Sequence, residues 1–115
     1  MTTADRKLPA DPLRFIRECV RNRRVLWTYH VNMRLKGRFI PREAVLDAVE
    51  SYEIIEAYPG DKYLPSYLVL ATSLGEAFHV LFGADLEGGN VRVVTAYGPS
   101  RDEWEDDLTT RRTPR

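Results

Sequence analysis

A chain of 115 residues with 43% hydrophobic and 30% charged content is long enough to bury one modest core, and its composition excludes a disordered or fibrous protein. The 17 basic and 17 acidic residues cancel, which argues against a uniformly basic coat for nucleic acid. A lone cysteine, Cys19, excludes an intramolecular disulfide and a cysteine-based zinc site.

Residues 1–10 are polar and aperiodic and read as a flexible leader to a single domain over 11–108. Asp11-Pro12 is an acidic cap followed by a first-turn proline, and Leu13, Ile16 and Val20 make a helical stripe ending near Arg23. Cys19, beside Val20, reads as an inert, partly buried thiol. Val25-Leu26-Trp27-Thr28-Tyr29 is rich in β-branched and aromatic residues, so it predicts a strand with Trp27 in the core. His30 to Lys36 can make two helical turns, stopped by Gly37. Pro41 then suits the first turn of a second helix, with Ala44, Val45, Ala48 and Val49 facing inward as far as about Ser51.

From Glu53 the period shortens. Glu53–Tyr58 predicts a strand and Pro59-Gly60-Asp61 a turn. The unbroken apolar run from Tyr67 to Thr72 predicts a central strand covered on both faces. Ala77–Ala84 and Val91–Tyr97 follow across tight turns, the second containing Gly88-Gly89. Short turns leave these four strands only a meander, hence antiparallel pairing. The expected fold is α+β, with N-terminal helices packed on one face of a four- to five-stranded, mainly antiparallel sheet. Trp104 reads as a staple for the C-terminal segment, and residues 109–115 as a flexible tail. No apolar stretch reaches the length of a membrane span and no signal-peptide core is visible, so a cytoplasmic protein without membrane contact is expected.

Charge is unevenly spread. Residues 1–42 carry eleven Lys/Arg against Asp5, Asp11 and Glu18, a net +8, whereas residues 43–110 carry three basic residues against fourteen acids, a net −11. Such asymmetry suits one pole for a polyanion, or two halves that attract each other within the fold. In the basic half, His30, Arg34 and Arg38 recur every four residues, so a helix would stack them along one side. Guanidiniums clamp a phosphate bidentately and an imidazole moves a proton near neutral pH, so this is a kit for a phosphodiester. The same spacing also describes a plain solvated face.

Several segments resemble a bacterial family known as a domain of unknown function, numbered 4258. They are Thr28-Tyr29-His30, Arg34, Arg38-Phe39-Ile40, Glu53-Ile54-Ile55-Glu56-Ala57-Tyr58, Tyr67-Leu68, His79-Val80, Thr95-Ala96-Tyr97-Gly98-Pro99 and Trp104. The resemblance covers about residues 25–105, and the leading helix looks like an extension. Pro41 stands where the family commonly has a Ser or Thr cap, which a helix-starting proline replaces without loss. The family looks like a relative of the RelE/ParE-type toxins of toxin–antitoxin pairs. Resemblance to them implies a RelE-like α+β fold more firmly than any one chemistry, since some of these toxins cleave mRNA, others poison gyrase and some relatives are inactive.

Metal-independent cleavage of RNA through the 2′-hydroxyl needs a base, a phosphate clamp and a proton donor. His30 is the candidate base or acid, with Arg34 and Arg38 as the clamp. His79 is the second histidine and the other catalytic candidate, although a lone mid-strand histidine is more often a satisfied structural residue. Tyr97, ending the last strand, can donate a proton or stack on a base, or can simply edge the core. Arg92 is a substrate-binding candidate for phosphate, or the wet side of a strand. Two histidines in separate elements offer no metal site, and no phosphate-cradling loop implies a cofactor, so neither is expected. The resemblance implies an RNA substrate and a cognate antitoxin. That partner would contact DNA, since a neutral chain has little unaided attraction for it. The rival expectation is a non-catalytic protein-interaction module on the same fold, with His30 and the arginines merely tying helices to sheet.

Overall fold

The computed structural model describes residues 7–28, 34–35 and 38–112, and at 34, 35, 38 and 39 the backbone alone. Helix α1, Pro12–Arg21, begins where its sequence cap predicts. The Asp11 carboxylate accepts from the Arg14 backbone N–H at 3.1 Å, and Ile16, Cys19 and Val20 form the buried stripe. A Schellman pair closes the helix: Arg24 N–H donates to the Cys19 carbonyl at 2.8 Å and Arg23 N–H to the Val20 carbonyl at 3.1 Å. Arg23, at φ 58°, takes the left-handed position that glycine usually fills. The chain thereby reverses straight into strand β1, Val25–Trp27.

The expected helix over His30–Lys36 is not what the described part of that stretch forms. Arg34–Leu35 is a strand, β2, paired antiparallel with β3, Arg38–Phe39. The residues explain the difference. Spacing of His30, Arg34 and Arg38 defines a polar side but comes with no apolar stripe, and most helical stability derives from packing such a stripe. An open sheet edge offers the same backbone groups ready partners. His30 itself lies outside the described residues.

Helix α2, Arg42–Asp47, has Pro41 at its N-cap rather than inside its first turn, and it tightens into a 3-10 turn over Ala48–Ser51. The Tyr52 hydroxyl donates to the Val45 carbonyl, which ties the helix to the strand that follows. Four strands complete the chain as the expected antiparallel meander: β4, Glu53–Tyr58; β5, Ser66–Ser73; β6, Glu76–Asp85; and β7, Asn90–Tyr97. The sheet has seven strands in the order β3-β2-β7-β6-β5-β4, with β1 also beside β7. Both β1 and β2 run parallel to β7, so the sheet is mixed. That pairing joins segments more than sixty residues apart, beyond the reach of local patterning.

One cluster makes the core. It joins Ile16 and Val20 of α1 and Val45 of α2 to alternate residues of the meander, among them Val69, Val80, Phe82 and Val93. Trp27 packs against it from β1, with the Arg42 guanidinium 5.0 Å from its ring centre. The opposite side of β6 carries His79 and Leu81, which segment 99–112 and the loop before β5 partly cover. Residues 109–112, assigned to the tail by sequence, take part there: Trp104 bridges to Arg111, and Arg112 N–H donates to the Glu103 carbonyl at 2.8 Å. Among the described residues no helix is long and apolar enough to cross a membrane.

The β5–β6 reversal has two residues, Leu74 and Gly75, at φ 51° and 79°, the geometry of a type I′ turn. Leu74 is fully exposed there and gains nothing from packing, while paying for a left-handed backbone. Leu74→Asn is therefore expected to stabilise the protein by about 0.5–1 kcal/mol, read as a raised urea midpoint at unchanged slope. A lowered midpoint would contradict the turn assignment.

Candidate functional site

Strand β7 is the meeting place of the residues singled out by sequence. Tyr97 near its end has His79 of β6 as register partner on one side and Arg34 of β2 on the other. Arg34, Tyr97 and His79 thus form one row across three strands, with Arg38 a strand further out, opposite Leu35. The chain on both sides of His30 pairs with β7, at Val93 through Trp27 and at Tyr97 through Arg34. Arg92 sits at the other end of β7, five residues from Tyr97 and so about 16 Å along the strand. The candidates therefore divide into a group around Tyr97 and an isolated Arg92.

His79 is fully buried, 0% exposed. Its Nε2 lies 2.7 Å from the Leu108 carbonyl, which can only accept, so Nε2 carries the proton and donates. In the neutral ring Nδ1 then holds a lone pair, and the Tyr97 hydroxyl stands 3.4 Å from it. The Trp104 ring meets the imidazole edge-on at 4.4 Å between centres. Burial lowers the histidine's pKa, opposed by the Leu108 carbonyl and the Glu56 charge, and assisted by Arg111. Burial also raises the pKa of the Tyr97 hydroxyl.

A latch closes this arrangement from outside. Arg111 donates to both carboxylate oxygens of Glu56, at 2.6 and 3.0 Å, and lies 4.5 Å from the Trp104 ring centre. The Tyr58 hydroxyl also donates to Glu56, and with Arg111 it holds that carboxyl below the usual range. Trp104 is only 2% exposed. Removing a buried ring of that size typically costs about 3–5 kcal/mol, a large fraction of a small domain's stability. Segment 99–112 thus shields His79, and the buried imidazole meets no solvent-borne substrate directly. Among the described residues no three His, Cys, Asp or Glu side chains converge on a possible metal position.

The family model described as "Domain of unknown function (DUF4258)" matches residues 27–98, more than half of the chain. The chain belongs to the DUF4258 family. No curated protein and no solved structure matches it. Within the chain, the DUF4258 match runs from Trp27, the last residue of β1, to just past the end of β7, and it stops short of Trp104, Leu108 and Arg111.

Sequence reasoning read Trp104 as a staple for the C-terminal segment, but it passed over Leu108, Arg111 and the part that Glu56 plays in this site. Glu56 sits in a strand with an alternating partner, Tyr58, which was a readable cue for one shared face. The contact with Arg111, 55 residues on, left no local trace.

Because His79 has a pKa lowered in the fold, the unfolded chain takes up its proton first. Its contribution is complete above the unfolded value of about 6.5 and is lost as pH falls through that value. His79→Gln should cost stability at pH 7.5, and the gap to the wild type should narrow by up to about 1.4 kcal/mol per pH unit toward pH 5.5. Urea melts across that range provide the check, and parallel curves for the two proteins would refute the assignment.

Proposed function

We propose that this DUF4258 protein is a toxin-like, metal-independent endoribonuclease of a type II toxin–antitoxin pair, on a RelE/ParE-like fold with its helices on one sheet face. The core cluster joining α1 and α2 to alternate strand residues supports that arrangement. One observation carries the catalytic reading: both flanks of His30 pair with β7, and Arg34 is the register partner of Tyr97. The basic segment is thereby held against the strand that contributes the tyrosine, although the two are far apart in sequence.

In this reading His30 takes the proton from the ribose 2′-hydroxyl, and Arg34 and Arg38 neutralise the phosphate as its charge builds. The 2′-oxygen bonds to phosphorus, the bond to the 5′-oxygen breaks, and the leaving oxygen receives a proton. The products are a 2′,3′-cyclic phosphate and a 5′-hydroxyl. Tyr97 is the candidate donor of that proton. His79, shut behind it, is a positioning residue: its Nδ1 stands 3.4 Å from the Tyr97 hydroxyl and holds that group in place until the single hydroxyl proton passes to the leaving oxygen. A cognate antitoxin, small and encoded nearby, would neutralise the protein and supply any DNA contact.

The burial of His79 favours a second reading, a non-catalytic interaction module with the same fold, in which the histidine only ties the C-terminal segment to the sheet. The two separate on RNA. Incubated with single-stranded RNA in EDTA, the nuclease yields cyclic-phosphate ends, and His30→Ala lowers the rate by about 10²–10⁴-fold. Intact RNA with the wild type, together with unimpaired growth on expression, leaves the interaction module.

A further inference from the structure

Beside the Arg92 end of β7 lies a groove of about 380 Å³, at the lower end of the size range of small-ligand sites. Leu81, Gly83 and Val94 form its floor, Tyr63 and Leu64 line it from the loop before β5, and Thr28 lines it from the end of β1. Gly83 keeps the floor low: a Cβ there would meet the Leu64 Cδ1 at 3.3 Å. Tyr63 is 80% exposed, so packing does not account for its placement. The Lys62 ammonium stands 5.2 Å from its ring centre.

Arg92 lines the same groove from the exposed side of β7, as the register partner of Gly83. It has no ion-pair partner among the described residues, whereas Arg14, Arg21, Arg101, Arg111 and Arg112 each lie against a carboxylate. Asp61 also lines the groove, alongside the two cations Lys62 and Arg92. An apolar floor with an exposed aromatic ring accepts a flat, weakly polar group, and an unpaired guanidinium at its side accepts an anion. A nucleotide joins those two properties in one molecule. A base paired within a duplex cannot present its face to the tyrosine, so the nucleotide belongs to a single strand.

We infer that this groove is a nucleobase subsite for single-stranded RNA: one base lies on Leu81 and Val94 against the Tyr63 ring, and Arg92 holds the adjoining phosphate. The choice of RNA rests on the ribonuclease reading. Placement agrees with it, since Thr28 lines the groove and stands two residues before His30.

Full-length protein carrying His30→Ala, which binds without cutting, would be titrated against a fluorescent single-stranded RNA of about eight nucleotides. Adding Tyr63→Ala should weaken binding roughly 5- to 100-fold with an unchanged melting temperature. Adding Arg92→Ala should weaken it and reduce the slope of log affinity against log salt by about one. A duplex of the same sequence should bind more weakly than the single strand. Unchanged affinity on Tyr63→Ala, no binding at all, or tighter binding of the duplex overturns the subsite. Cleavage by the wild-type protein, measured separately, judges the ribonuclease reading. Cutting that is indifferent to Tyr63 keeps that reading without the subsite, and binding that depends on Tyr63 without cutting keeps the subsite without that reading.

Discussion

The rest of the structure depends on the hydrogen bonding of β7, which is used along both edges. On one edge it completes the meander with β6, and on the other it takes β1 and β2 in parallel. A last strand left with a free edge would present unpaired backbone groups to solvent and to other chains. Here the N-terminal half covers that edge. The Schellman turn at Arg23 aims the chain at it, and the Val91 N–H donates to the Arg24 carbonyl at 3.1 Å as the first rung.

This pairing also accounts for the uneven charge. The basic half supplies the strands added to β7, and the acidic half supplies the meander they join. Few of the opposite charges form close pairs across that division. Arg21 meets Glu50 at 2.6 Å, and Arg17 spends its guanidinium on the backbone carbonyls of Val49, Glu50 and Tyr52. The Arg21–Glu50 pair is exposed and adds little to stability, so burial of the core cluster, not charge pairing, holds the halves together.

The two ends of β7 have opposite characters. Behind the part-exposed Tyr97 the sheet is sealed: His79 is satisfied, Trp104 is buried over it, and Glu56 and Arg111 close the rim. Around Arg92 it is open, with an apolar floor, an exposed tyrosine and the Arg92 guanidinium, which has no ion-pair partner among the described residues. The sealed end sets the Tyr97 hydroxyl beside the buried His79, and the open end leaves a groove beside Arg92. Between them β7 pairs first with Trp27 and then with Arg34, the two described partners that flank His30 in the sequence.

The sequence by itself determined whatever depends on near neighbours. The Asp11-Pro12 cap, the Ile16 and Val20 stripe, the four-strand meander and its turns all follow from spacing of a few residues, and the structure has them. The DUF4258 resemblance was likewise legible, because its pieces keep their order along the chain. Only the tertiary structure decided where distant pieces meet. His30, Arg34 and Arg38 look helical by spacing alone, but the vacant edge of β7 outbid a helix with no apolar stripe, and made Arg34 and Arg38 strand residues. His79, in mid-strand, reads by sequence more as a satisfied structural histidine than as a catalytic one, and the partners it meets, Leu108 and Trp104, lie 29 and 25 residues further on. Tyr63 gave no local signal, since an aromatic residue in a turn acquires a role only from the floor that other strands place beneath it. Local patterns are set by chain geometry within a few residues, whereas burial and partnership are set by contacts between segments whose separation no short-range periodicity encodes.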